Sequence, residues 1–243
     1  MEFDLATYDP GGAPKPGKFA FRPAPLVSCL MATRGDMRLA QQAIACFQAQ
    51  TYGASELIVA CAWRAQDTMD FVTALGDPRV RFVPCPDGPL GAVRNAAVAA
   101  AKGPLICQWD DDDLYDPRRL EAMVGVLSAT KADAAFMARV TLWWPSRKRL
   151  ALTEPRLWEG TMLAVREKAP PYPEYRRGED SAMVDSLRAR ARTVALDAPA
   201  LYVYRVTGQN TWDPEHFEDL FRRASQDLSP DYDARTVGWP KPP

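Results

Sequence analysis

The sequence predicts an α/β protein with a mostly parallel central sheet flanked by helices and a more irregular C-terminal half. Three observations carry this. Short apolar runs of strand length alternate with segments of helical spacing through residue 130. Four aspartates stand where the fourth such run ends. Beyond residue 130 the rhythm changes to strands set among loops rich in Trp, Pro and Arg.

The elements follow in order. Residues 25–32 (PLVSCLMA) read as a buried strand, and Gly35-Asp36 then precede a helix to Gln50 with Ala40, Ala43, Ile44 and Phe47 on one face. Residues 56–62 (ELIVACA) form a second strand, 67–75 a short helix, 80–83 a third strand, 90–102 an alanine-rich helix and 104–109 a fourth strand. Asp116-Pro117 reads as the N-cap and first residue of a helix carrying Leu120, Met123, Val124 and Leu127 inward. After it come strands at 133–144 and 160–165, a helix over 180–190, strands at 193–196 and 201–206, and a helix opened by Asp213-Pro214. The Pro- and Gly-rich residues 1–24 are expected to be an irregular arm and 229–243 an irregular tail, leaving 25–228 as one domain.

Composition narrows the function. A net charge of −1 gives no pull toward nucleic acid or anionic membrane. The basic clusters at 147–149, 176–177 and 188–192 read as solvated faces, one of which is a candidate phosphate contact. Cys29, Cys46, Cys61, Cys85 and Cys107 are odd in number and lack any CxxC spacing, which favours a reducing cytoplasm over disulfides or zinc. The N-terminal residues show neither the basic nor the apolar region of a signal peptide, and no stretch is long and apolar enough to span a bilayer, so a cytoplasmic protein is expected.

The run Asp110, Asp111, Asp112, Asp113 lies at a predicted strand end, where α/β sheets bind ligands. Four adjacent carboxylates repel one another unless a cation or solvent relieves them. Hard oxygen donors suit Mg²⁺ or Mn²⁺, and such ions share their coordination with substrate phosphates. The alternative from the run alone is a solvated acidic loop.

Four segments in order then resemble glycosyltransferase family 2, of GT-A type, over roughly residues 25–220. They are PLVSCLMATRGD, GAVRNAAVAAAKGPLICQWDDDD, YRRGEDSAM and YRVTGQNTWDPEHF. The resemblance implies a nucleotide-binding half (25–130) and an acceptor and catalytic half (131–228). It implies a metal-dependent, inverting transfer of sugar from a nucleotide-diphosphate donor, a UDP-sugar being favoured, to a hydroxyl acceptor. That acceptor is a glycan, a lipid-linked species or a small molecule. Asp110 and Asp112 match the family's DxD pair, Asp110 nearer the ribose and Asp112 nearer the Mn²⁺ or Mg²⁺, with Asp111 on the nucleotide-sugar. Thr33, Arg34 and Arg94 match positions near the nucleotide. Glu179 and Asp180 match the "ED" pair, Asp180 as base; helix capping is its alternative role. His216, the only histidine, resembles a late metal ligand, although Thr207 stands where members with this pattern carry another. Trp158, Trp212 and Tyr202 are candidates to stack on a sugar.

One departure concerns the donor. The family usually ends its second strand with acids that read the base, and here Cys61 and Ala62 occupy those positions, with Asp67 the nearest acid. Two rival functions follow: a nucleotidyltransferase of related fold, for which MATRGD is a poor loop, and a non-catalytic protein that kept the fold after losing base recognition.

Overall fold

The computed structural model describes residues 4–7, 24–62 and 66–239. Strand β1 (Asp4–Thr7) lies at one edge of the main sheet. The centre is built from β2 (Val27–Thr33), β3 (Ser55–Ala62), β4 (Val80–Cys85) and β5 (Leu105–Gln108), joined by α1 (Met37–Gln48), α2 (Gln66–Ala74) and α3 (Leu90–Ala100). These four strands pair parallel in the order β5-β2-β3-β4. Every residue of β2 is buried, because both faces of the sheet are covered. Val27, Cys29, Met31, Leu57 and Val59 pack with Ala43, Ile44 and Phe47 of α1. Leu30, Ile58 and Ile106 pack on the other side with Ala97 of α3. The apolar runs of the sequence are thus strands with two inward faces.

The second half adds β6 (Leu114–Tyr115), α4 (Arg119–Thr130), β7 (Ala134–Met137), β8 (Thr141–Trp144), β9 (Arg149–Leu152), β10 (Trp158–Val165), α5 (Glu179–Arg188), β11 (Thr193–Asp197), β12 (Tyr202–Arg205), α6 (Pro214–Arg222), β13 (Gln226–Asp227) and α7 (Tyr232–Arg235). The main sheet runs β1-β11-β7-β10-β5-β2-β3-β4, with β10 antiparallel to both neighbours. A smaller sheet runs β13-β9-β8-β12-β6.

Several expectations change. The single strand expected over 133–144 is two, β7 in the main sheet and β8 in the small one. Between them Arg139 pairs with Asp197 at 2.7 and 2.8 Å, and Val140 N–H donates to the Thr153 hydroxyl at 3.0 Å, which turns the chain from one sheet to the other. Asp116-Pro117 does not open α4. Asp116 forms a turn, its carboxylate accepting from Arg118 N–H at 2.9 Å, and the helix starts two residues later. The Leu120 N–H in its first turn is met by Gln50 Oε1 from α1's far end at 3.0 Å, a tertiary cap that local sequence cannot show. Within the expected N-terminal arm, residues 4–7 add a parallel strand beside β11. The tail beyond 228 is also structured, with Tyr232 accepting from Trp143 Nε1 at 2.9 Å and Trp239 edge-on to the same ring.

Candidate active site

The chain passes through β3 and β4 before β5 returns to lie beside β2, so the strand order reverses between β2 and β5. Ligands of open α/β sheets bind at such a switch point. A cleft of about 500 Å³ opens there. It is walled by Thr33 and Arg34 from the end of β2, the aspartates from the end of β5, and Arg94 from α3. Glu179 and Asp180 of α5 and the 209–212 loop after β12 complete it. The structure therefore brings together every residue the sequence predicted for catalysis, nucleotide or metal except His216.

The four aspartates have four different surroundings. Asp110 accepts from Arg94 Nη2 at 2.9 Å and Gln108 Nε2 at 3.2 Å, and its carbonyl accepts from the Tyr115 hydroxyl at 2.8 Å. A Cβ at Gly160 of β10 would stand 3.1 Å from Asp110 Oδ2, so the missing side chain keeps that carboxylate's flank clear. Asp111 accepts from the Thr33 hydroxyl, and burial pushes its carboxyl up to about 6. Asp112 accepts from Asn210 Nδ2 at 2.8 Å. Burial, followed by the Asp113, Asp111 and Asp110 charges, pushes its carboxyl well above the usual carboxylate range. Asp113 is the deepest, accepting from the Tyr202 hydroxyl and from Arg205 N–H at 2.9 Å, and burial pushes it up to about 7. Arg205, fully buried, grips the Asp112 carbonyl through Nε at 2.7 Å and Gln42 Oε1 through Nη1 at 2.5 Å. The small sheet makes this possible, because β12 pairs with β6 directly after the run.

Arg94 is buried and spends Nε on Glu179 Oε1 at 2.8 Å while Nη2 holds Asp110. It is therefore the brace between the strand-end acids and the start of α5. Burial raises the Glu179 carboxyl despite the opposing Arg94 charge. Asp180 is half-buried and lines the cleft. The N-cap position of α5 belongs to Gly178, at φ +76°, and Asp180 lies inside the first turn with Oδ1 accepting from Ser181 N–H at 2.8 Å.

His216 does not line the cleft. Its imidazole stacks on Trp212 at 4.6 Å and meets Phe217 edge-on, while Asp213 fixes its backbone by accepting from His216 N–H at 3.0 Å. Among the described residues no three His, Cys, Asp or Glu side chains gather as a metal cage, so His216 does not complete one with Asp110 and Asp112. Trp212 does line the cleft, whereas Trp158 and Tyr202 are buried. Cys61 is buried at the end of β3, and the exposed Asp67 is outside the cleft lining. Sequence reasoning missed Asn210, whose Oδ1 accepts from Thr207 N–H at 2.8 Å while its amide reaches Asp112. The GQN turn after a strand was the available signal. It also missed the depth of Asp113, for which no local signal exists.

The donor set suits a hard divalent cation. The carboxylates are short of positive charge, and oxygen ligands from one or two residues are what such an ion takes when substrate phosphates complete its shell.

A switch-point cleft with strand-end carboxylates on this mixed sheet is the architecture of the GT-A glycosyltransferases. Residues 29–167 match the profile of Glycosyl transferase family 2, more than half of the 243 residues, and the chain belongs to that family. Among curated proteins it is 35% identical over 103 residues to the putative colanic acid biosynthesis glycosyl transferase WcaA of Escherichia coli K12, covering 41% of this chain and 37% of that one. It is 40% identical over 82 residues to the succinoglycan biosynthesis protein ExoO of Rhizobium meliloti, covering 33% and 22%. The matched part thus spans well under half of either relative. Among solved structures, S. aureus TarS in complex with UDP-GlcNAc superposes with a TM-score of 0.63 at 15% identity, over 81% of this chain and 64% of that one. The mannosyltransferase PcManGT of Pyrobaculum calidifontis, with GDP-Man and Mn²⁺, gives 0.62 at 14%, over 90% and 66%. Glucosyl-3-phosphoglycerate synthase of Mycobacterium tuberculosis, with Mn²⁺, UDP and glucosyl-3-phosphoglycerate, gives 0.59 at 17%, over 91% and 84%. At these identities the likeness is one of fold.

Proposed function

We propose that this chain transfers a sugar from a nucleoside-diphosphate sugar to an acceptor hydroxyl, with inversion, in a metal-dependent reaction in the cytoplasm. The observation that carries this is the convergence of the Asp110–Asp112 pair, Arg94 and Asp180 in one cleft at the switch point. Five free cysteines fit a reducing compartment.

Thr33 and Arg34 mark the nucleotide end, where the Thr33 hydroxyl fixes Asp111. Asp112, with Asp110, would hold Mn²⁺ or Mg²⁺, which when bound neutralises the diphosphate leaving group. His216 joins that set only if the 207–213 loop moves; as it stands, it backs the Trp212 wall. Asp180 takes the proton of the acceptor hydroxyl as that oxygen bonds to the anomeric carbon. The bond from that carbon to the phosphate oxygen breaks, its electron pair staying with the departing nucleoside diphosphate. Glu179, buried against Arg94, anchors α5 so that Asp180 faces the cleft. UDP-sugar remains our favoured donor, although Cys61 and Ala62 supply no acid to read the base.

A thermal-shift panel of UDP-, GDP-, CMP- and dTDP-linked ligands with and without Mn²⁺ tests this. At least one nucleoside-diphosphate ligand is expected to raise the melting temperature, and more so with Mn²⁺. No ion-dependent shift with any of them would sink the metal-dependent transferase and favour a non-catalytic role.

A further inference from the structure

The loop from residue 172 to Gly178 presents two arginines to the cleft, and it is firmly held. Asn95 of α3 clasps Tyr172 through both backbone groups, donating to its carbonyl at 2.8 Å and accepting from its N–H at 2.9 Å. Gly91 N–H donates to the Tyr175 carbonyl at 3.2 Å, and a Cβ at Gly91 would overlap the Pro173 carbonyl, so only glycine lets α3 and the loop approach this closely. Arg176 and Arg177 both line the cleft, are exposed, and pair with no carboxylate among the described residues. Arg177 lies over the Trp212 ring at 4.6 Å, on which His216 also stacks. Tyr175, next to them, is one of two exposed large hydrophobic side chains in the described residues, at 54% exposure.

The cleft's charges divide by position. Arg94 is consumed by Asp110 and Glu179. Arg34, also without a carboxylate partner among the described residues, stands at the Thr33 end. Arg176 and Arg177 stand within four residues of Asp180, at the end where an acceptor hydroxyl must arrive. A cleft so rich in carboxylates repels an anion unless fixed, unpaired cations meet it, and guanidinium groups bind oxyanions in pairs of parallel hydrogen bonds. We infer that Arg176 and Arg177 are an acceptor-binding site for an oxyanion, so that the acceptor of this enzyme carries a phosphate or a carboxylate near the hydroxyl that is glycosylated. Tyr175 supplies the adjoining apolar surface. This rests on the transferase reading only for the word acceptor; the anion site itself does not.

The test titrates inorganic phosphate and, separately, malonate into the full chain saturated with the nucleoside diphosphate chosen by the thermal-shift panel and Mg²⁺. Isothermal calorimetry follows binding. One of the two probes is expected to bind with a Kd of about 1–10 mM, as a pair of partly solvated charge-assisted contacts allows. Tighter phosphate binding points to a phosphorylated acceptor, tighter malonate binding to a carboxylated one. Arg176→Ala/Arg177→Ala, at exposed positions, should keep its melting temperature, weaken the probe at least tenfold, and leave nucleoside diphosphate affinity within twofold. The proposal is overturned if neither probe binds the loaded protein or if the double variant binds the probe as wild type does. It is also overturned if the variant loses tenfold in nucleoside diphosphate affinity, since the arginines would then belong to the donor. If no nucleoside diphosphate binds, the transferase reading fails, and titrating the same probes into the unloaded protein decides the anion site separately.

Discussion

Glu56 and the aspartate run lie at opposite ends of the parallel strands of the main sheet, and the protein treats their carboxylates in opposite ways. Glu56, at the start of β3, accepts from the Ser28 hydroxyl and Lys102 N–H at 2.7 Å each and from Arg81 Nε and Nη2 at 3.2 and 3.0 Å. Burial alone raises its carboxyl, but those donors together hold it below the usual value. At the end of β5 the balance reverses. Burial is again the largest influence on Asp111, Asp112 and Asp113, and here the donors do not offset it. A carboxylate kept short of positive charge costs stability and serves only if something else brings the charge. One end of the sheet is neutralised by the protein's own donors; the other is not.

The largest effect that tests this contrast is on turnover. Asp180→Asn is expected to retain donor binding and stability while lowering kcat by about two to four orders of magnitude, the usual worth of a general base. A near-normal kcat in steady-state assays would reduce Asp180 to a residue of the first helical turn. Asp112→Asn comes next. Nucleotide affinity in saturating Mn²⁺, measured by calorimetry, should fall at least about tenfold, the lower end for a lost metal-shell contact. The melting temperature of the ion-free protein should hold or rise, because the run loses a repelled charge.

Glu56→Gln should do the reverse. It leaves Arg81 without its carboxylate partner and should destabilise by about 2 kcal/mol, in the range for charged hydrogen bonds, as read from urea unfolding. Mn²⁺-dependent nucleotide affinity should stay unchanged. If Glu56→Gln proves neutral while Asp112→Asn destabilises, the contrast between the two ends collapses.

The pH dependence separates the ends again. Glu56 is depressed in the folded state, so its contribution is present above the unfolded carboxylate value of about 4.3 and is lost as pH falls through the lower folded value. Asp111 and Asp113 are raised, so theirs is present below about 4 and is lost as pH rises through about 6 and about 7. Between pH 5 and pH 8 Glu56 is therefore constant. The ion-free protein should lose on the order of 10 °C in melting temperature over that span. Asp113→Asn should flatten the slope, and an unchanged slope would assign it to other groups. The smallest effect belongs to His216→Ala. With its ring against Trp212, it should change Mn²⁺-dependent affinity by no more than about twofold, below ~0.5 kcal/mol. A tenfold loss with a flattened pH profile between 5 and 7 would place the imidazole on the ion.

Much of this was legible in the chain. Apolar runs such as residues 25–32 and 56–62 declare strands covered on both faces, because only a doubly covered strand can afford no polar side. The order of Thr33, Arg94, the aspartates and Asp180 along the chain, set against strand and helix ends, marked the site residues that the cleft unites. What the sequence could not show were contacts between distant segments. The break at 138–140 is invisible to periodicity, since β7 and β8 are equally apolar and only the Arg139–Asp197 pair and the change of sheet divide them. Gln50 caps α4 across 70 residues, and Asp113 is buried by Tyr202 and Arg205 some 90 residues away. Local propensity determines which segments become strands and helices. The environment of a charge depends on everything packed around it, so tertiary structure alone decided that four identical aspartates have four surroundings, that Arg94 is a brace, and that Arg176 and Arg177 pair with no carboxylate among the described residues.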